Sequence, residues 1–316
     1  MDRINRINKI RKEEDLNVSW TNPVNPVNPV YSTLLRVLAL TAGMSWQGNA
    51  HAVCPSFERV NTILRFMEAR EPVRGLRADL SMQDGECGRR RLVERLESSD
   101  NPIVGYKAGL TSKAVQERFG VSSQVRGVLL EKMLLADGAD VPADFGARPV
   151  FEADLLVVVK DTAIHKAKTH LEVLRSLSLV IPFIELPDLL VAESEKLSAP
   201  LIVSLNVGAR LGVVGKGIPV QATPEFAAAL AAMRVVVIDQ GGRELASGKG
   251  GAILDHPLNA VLWLAQDLEK SRIQLKPGDL LSLGSFTAPL SPRPGLVVTV
   301  RYEGLPGNAT VSVRFR

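Results

Sequence analysis

Residues 150–159 read Val150-Phe151-Glu152-Ala153-Asp154-Leu155-Leu156-Val157-Val158-Val159. Aliphatic and β-branched residues fill the run without helical spacing, and the stretch predicts a strand. Side chains at i and i+2 of a strand share a face, so Glu152 and Asp154 project together. Two neighbouring carboxylates repel each other and lose hydration, and a divalent cation between them would relieve both penalties. Hard oxygen donors of this kind suit Mg2+ or Mn2+ rather than Zn2+. The alternative is a strand with one solvated face.

Outward from this run, similar apolar stretches occur at 103–110, 127–130, 179–186, 201–207, 234–238, 280–283, 297–302 and 309–315. Gly, Pro, Asn and Asp punctuate them, as strands require. Helical spacing marks 56–99, through Val60, Ile63, Leu64, Phe66 and Met67 and later Leu92, Val93 and Leu96. It returns at 112–119, 169–176, 224–233 and 258–268. Strands are too many, and helices too irregularly placed, for a doubly wound parallel sheet. The pattern predicts an α+β fold with a large mixed sheet, curled or sandwiched. One catalytic domain over 53–316 is expected, with a helical section at 53–100 and a mixed β core at 101–316.

A third acid strengthens the cation reading. Glu185 sits within Val180-Ile181-Pro182-Phe183-Ile184-Glu185-Leu186, where solubility does not explain a charge. Glu152, Asp154 and Glu185 together could form a three-carboxylate site open to water or a chelating substrate. Lys107, in Gly105-Tyr106-Lys107-Ala108-Gly109, could neutralise an anionic substrate or act as acid and base. It also reads as an edge-strand lysine that discourages aggregation. His256 reads as structural, at a helix start with Asp255 as cap and Pro257 in the first turn. No G-x-S-x-G, H-E-x-x-H, C-x-x-C or G-x-G-x-x-G motif occurs, so serine hydrolase, zincin and dinucleotide-enzyme readings have no support.

The 316 residues carry Lys+Arg 38 against Asp+Glu 34, a mild +4 with no basic block interleaved with aromatics. Nucleic acid is not an expected partner. Residues 1–52 read as a leader. A charged start and the repeat Asn22-Pro23-Val24, Asn25-Pro26-Val27, Asn28-Pro29-Val30 lead to an apolar run of about ten residues, too short to cross a bilayer. Ala50-His51-Ala52 then matches a signal-peptidase site. Cleavage predicts a periplasmic or secreted protein with no stable membrane span. A helix docked on the domain, in a cytoplasmic protein, is the alternative. In an oxidising compartment Cys54 and Cys87 could pair.

Several of these segments together resemble the fumarylacetoacetate hydrolase superfamily, in its 2-keto-4-pentenoate hydratase and 2-oxo-hexenedioate decarboxylase branch. Gly105-Tyr106-Lys107-Ala108-Gly109-Leu110-Thr111-Ser112 is similar to its G-Y-K-x-G-L-T-S signature, and Glu152-Ala153-Asp154 to its E-x-E strand. Pro182-Phe183-Ile184-Glu185 resembles P-x-I-E, His256-Pro257-Leu258-Asn259-Ala260-Val261-Leu262-Trp263-Leu264 resembles H-P-x-N-A-V-x-W-L, and Gly284-Ser285-Phe286-Thr287 resembles G-S-x-T. The resemblance implies a mixed β-sandwich roll, Mg2+ or Mn2+ as cofactor, and a homo-oligomer. Glu152, Asp154 and Glu185 would be the ligands. Lys107 and Glu185 would be catalytic, and Lys107, Ser285, Thr287 and Asn206 would contact a small 2-oxo acid.

The implied activity is hydration of a 2-hydroxy-dienoate through a metal-stabilised enolate, as in the catabolism of aromatic compounds. Decarboxylation or C–C hydrolysis on the same fold, or a non-catalytic exported binder of metal or ligand, are the alternatives. Three departures stand out: Asp154 where Glu is usual, Val125 and Arg126 in place of an acidic stretch, and Asn206 alone of a D-N-x-S-like loop. The missing acid bears on hydratase proton transfer, and the Val125 and Arg126 departures read either as altered specificity, with Arg126 favouring a more acidic substrate, or as lost activity.

Overall fold

A computed structural model describes residues 54–77 and 79–316. The leader at 1–52 lies outside these described residues. Thirteen strands are present among them. They are β1 Ile103–Gly109, β2 Val125–Leu130, β3 Leu134–Ala136, β4 Ala139–Val141, β5 Glu152–Val159, β6 Leu177–Leu186 and β7 Leu211–Val214. Further along come β8 Ile218–Pro219, β9 Arg234–Asp239, β10 Glu244–Lys249, β11 Leu280–Ser282, β12 Val297–Glu303 and β13 Thr310–Phe315. The helices are α1 Phe57–Ala69, α2 Met82–Leu96, α3 Lys113–Phe119, α4 His170–Arg175, α5 Ala199–Ser204, α6 Pro224–Ala232 and α7 Pro257–Lys270.

The strands form two mixed sheets. The larger runs β2-β1-β11-β5-β6-β7-β3, with β8 attached to β6, and the smaller runs β10-β9-β12-β13-β4. One large core fills the space between them. Ala153, Leu155 and Val157 of β5 and Ile184 of β6 meet Val298, Val300 and Tyr302 of β12 and Val311 and Val313 of β13. Period-two alternation then obliges Glu152, Asp154, Leu156 and Val158 to share the opposite face of β5. There Leu156 and Val158 join Ile181 and Phe183 of β6 in a smaller apolar cluster, so this face is greasy at one end and acidic at the other.

The α+β fold with a helical N-terminal section is as expected, with one correction. The run at 201–207 is not a strand but helix α5 followed by a 3-10 turn over Asn206–Gly208. A short unbroken apolar run has no period to read, and Pro200 in the first turn favours the helix. Its docking partner decides the matter. A Cβ at Gly85 of α2 would lie 2.5 Å from the Pro200 carbonyl oxygen, so glycine lets α2 and α5 touch. Cys54 and Cys87 form a disulfide that ties the start of the described chain to α2. No helix among the described residues is long and apolar enough to cross a membrane.

Candidate active site

Cross-strand register assembles the charged cluster. Glu152 of β5 faces Glu185 of β6 as a direct pair, and Lys107 of β1 faces Ser282 of β11, the strand between β1 and β5. The Lys107 ammonium reaches across to bond Glu185 Oε1, and its Nζ donates a second bond of 3.0 Å to the Val207 carbonyl. Lys107 and Glu185 are each 3% exposed, and Asp154 is fully buried. Gly127, opposite Lys107 on β2, gives the lysine its room, because a Cβ there would come within 2.8 Å of Lys107 Cγ.

The Val207 carbonyl is aimed by strained backbone. Asn206, Val207 and Gly208 all have positive φ, of 55°, 54° and 69°, and a β-branched residue in that region is a true outlier. Asn206 imposes the turn from below. Its Oδ1 accepts from Val128 N at 2.8 Å and its Nδ2 donates to Val128 O at 2.9 Å, which clamps the turn to β2. Both polar ends of Asn206 are therefore engaged, and its side chain builds the turn that holds Lys107.

One lysine faces three acids, and the excess negative charge is felt. Desolvation first, and then the Glu185 charge, push Glu152 up to about 8. The same two causes, in the same order, push Asp154 up to about 7, against a lowering by its hydrogen bond from Ser282. Asp154 lies apart from its neighbours in bonding. One oxygen accepts from Ser282 Oγ at 2.6 Å, and the other from Gly284 N at 3.0 Å, Leu283 N at 3.2 Å and Leu155 N. The Tyr302 hydroxyl, rising from the core, bonds the backbone carbonyl of Asp154 and receives Phe183 N at 3.2 Å, bridging β5 and β6 beside the acids.

These bonds bring the 284–287 turn to the site. Within it Ser285 Oγ donates to the Thr287 carbonyl at 2.7 Å and accepts from Thr287 N at 3.2 Å. Ser285 thus shapes the turn, whereas the buried Thr287 Oγ1 has no partner among the described residues. A buried hydroxyl without a partner is costly, and a ligand oxygen would satisfy it.

Arg126 lies away from the cluster around Lys107. It sits opposite Ala108 in the register, one place along from the Lys107–Gly127 pair, and so faces the other side of the sheet. There its Nε donates to Asp267 at 2.6 Å and another nitrogen to Ser271 at 3.0 Å, both on the α7 side, over the Tyr106 ring. His256, as expected, is structural, although the cap is His256 itself and not Asp255. Its Nδ1 accepts from Leu258 N and its Nε2 faces the Ala227 carbonyl. It also stacks on His170 at 3.8 Å, a contact not legible in the sequence because the two residues are far apart in the chain.

Among the described residues no three His, Cys, Asp or Glu side chains converge as a ready metal cage. The donor chemistry nonetheless fits a hard divalent ion at Glu152 and Glu185. Both are carboxylates in a face-to-face strand pair, in a cluster whose surplus negative charge such an ion would neutralise. Asp154 differs from these two in that three backbone donors fill its Oδ1 and Ser282 holds its Oδ2.

A mixed-sheet sandwich with acids and a lysine at one end of a buried face is a site at which a charged ligand can be held. The chain is 31% identical over 221 residues to 4-oxalocrotonate decarboxylase of Pseudomonas putida, covering 70% of this chain and 80% of that protein. It is 29% identical over 255 residues to 2-oxo-hept-4-ene-1,7-dioate hydratase of Escherichia coli, covering 78% and 92%. The solved structure of 4-oxalocrotonate decarboxylase from Pseudomonas putida G7, complexed with magnesium and adipate, matches with TM-score 0.73 and 27% identity, over 82% of this chain and 97% of that one. No family model matches. The chain belongs to the fumarylacetoacetate hydrolase superfamily, in the branch of 2-keto-4-pentenoate hydratases and 4-oxalocrotonate decarboxylases.

Proposed function

We propose that the protein is a divalent-metal-dependent hydro-lyase that hydrates a 2-hydroxy-dienoate to a 4-hydroxy-2-oxo acid. The observation that carries this reading is the buried lysine–glutamate couple set among surplus carboxyls at the acidic end of β5 and β6. Relatives named hydratases, including 2-keto-4-pentenoate hydratase of Paraburkholderia xenovorans at 27% identity, support it. Mg2+ or Mn2+ held by Glu152 and Glu185 would supply Lewis acidity toward the carboxylate and 2-oxygen of the substrate.

The protein's own groups account for binding and proton movement. Thr287 Oγ1 supplies an unpaired hydroxyl for the substrate carboxylate. Lys107 Nζ and Glu185 Oε1 form a donor–acceptor couple through which a proton leaves the 2-hydroxyl and returns to C5. Water then adds across the resulting C3–C4 double bond, hydroxyl to C4 and proton to C3. The Val207 carbonyl keeps the lysine aimed while its partner exchanges the proton.

Decarboxylation is a second reading, favoured by the 31% identity to 4-oxalocrotonate decarboxylase. Both reactions build negative charge on the 2-oxygen, so the same residues serve either. Incubation with a 2-hydroxy-dienoate and with a 2-oxo-enedioate, followed by product analysis, separates them. Hydration of the first without CO2 release from the second is expected. CO2 as the sole product of turnover would replace the hydratase reading.

We further propose that the protein is exported and acts as a homo-oligomer. The Cys54–Cys87 disulfide supports export, since such bonds persist in oxidising compartments. N-terminal sequencing after cell fractionation should find a new terminus near Val53, and an intact Met1 in the cytoplasm would contradict it. Gel filtration tests the assembly.

A further inference from the structure

Asp154 occupies the position of a metal ligand in the sequence pattern, yet its surroundings give it different work. Its carboxylate is completely buried and accepts four hydrogen bonds, three of them from the consecutive residues Ser282, Leu283 and Gly284. Those residues end β11 and open the turn that carries Ser285 and Thr287. Oδ1 is filled by three backbone donors and Oδ2 is turned to Ser282, so the carboxylate has at most one lone pair, on Oδ2, to offer an ion. One carbon shorter than glutamate, it stays close to its own strand, and Tyr302 pins its backbone from the core side. Glu152 has no such commitments among the described residues, and Glu185 has one, to the Lys107 ammonium.

We propose that Asp154 is the anchor of the 282–287 turn and not a metal ligand. The protein then supplies two carboxylates, Glu152 and Glu185, and the remaining positions around the ion fall to water and the 2-oxo acid. This assignment rests on the metal-dependent reading of the site. It carries a consequence for binding order: an ion with two protein donors is held weakly alone and tightly once a chelating acid joins it.

The test uses Mn2+ as probe and oxalate as a stable two-oxygen chelator, read by electron paramagnetic resonance of the whole protein. Oxalate should tighten Mn2+ binding by about tenfold or more. Asp154→Asn, nearly the same shape, should leave the number of Mn2+-bound waters unchanged in 17O-labelled water. It should weaken affinity by about tenfold at most, through loss of a nearby charge. Glu152→Ala or Glu185→Ala should add water to the ion or release it. Gain of a bound water in Asp154→Asn would overturn the assignment.

Hydrogen exchange gives a second readout that needs no metal. Asp154→Ala should lose protection at the Gly284 amide, whose acceptor is the Asp154 carboxylate, while Glu152→Ala should not. Unchanged protection at Gly284 in Asp154→Ala would also overturn the anchor. If the unsubstituted protein binds no Mn2+ with or without oxalate, the metal reading fails instead, and the hydrogen-exchange result still decides the anchoring role.

Discussion

Two buried cations sit almost back to back on β1 and β2. Lys107 faces the acidic end of the large sheet, and Arg126, one register place away, faces α7. Around Arg126 every charge has its answer: Asp267 and Ser271 take its donors, Tyr106 lies under it, and its backbone carbonyl accepts from Arg89. Burial, and then the nearby Arg126 charge, push Arg89 down to about 10, and it still pairs with Glu86. Around Lys107 the balance is broken, with Glu152 and Asp154 both pushed up beside the Lys107–Glu185 pair. A saturated ion pair holds two elements together. One with surplus charge and an orphan hydroxyl is built for a guest.

The contrast is sharpest in a pair of substitutions. Lys107→Met should lower kcat by about a thousandfold, the usual worth of a positioned acid–base group, and should also cost stability, because it leaves Glu185 buried without its cation. Steady-state kinetics with denaturant titration checks both parts. Arg126→Met should affect stability alone. It should cost about 2 kcal/mol of stability, below the value for a fully enclosed pair because the Asp267 side chain is 34% exposed, and leave kcat/KM nearly unchanged. Denaturant titration measures the first effect. A large kcat loss without destabilisation would erase the distinction between the two cations.

A smaller effect is expected at Thr287. Thr287→Val removes the orphan hydroxyl, so it should raise KM about tenfold, with stability unchanged or improved. An unaltered KM would remove Thr287 from the substrate site.

The subtlest effect is in pH. Glu152 and Asp154 have folded pKa values of about 8 and about 7, above the ordinary 4.5 and 3.8, so the folded metal-free protein holds protons that the unfolded chain has released. Their contribution to stability is full below the ordinary values and is lost as pH rises through 7 to 8. A divalent ion relieves that loss. Mg2+ should therefore raise Tm by a few degrees more at pH 8 than at pH 5.5, as calorimetry can read. An equal rise at both would mean the ion binds elsewhere.

Much of this site was legible from local pattern. Period two puts Glu152 and Asp154 on one face, and a lone acid in an apolar run singles out Glu185. Register alone then makes Glu152 and Glu185 partners. The rest depends on contacts between distant segments. Ser282 lies 128 residues from Asp154, so no window of sequence could reveal that the carboxylate is engaged. The direction of Arg126 follows from its register with Ala108, and the clamp of Asn206 on β2 is visible only once 201–207 is known to be helix and turn. Motif residues identify the site, and long-range packing distributes the roles.

The central claim is that the surplus of acid beside Lys107 serves metal-dependent 2-oxo acid chemistry. It is tested most directly by following loss of the dienol absorbance of 2-hydroxypenta-2,4-dienoate with the purified protein, before and after chelation. Turnover that stops with EDTA and returns with Mg2+ or Mn2+ is the predicted result. Turnover indifferent to chelation, or a protein that binds the metal and leaves the dienoate untouched, would contradict it.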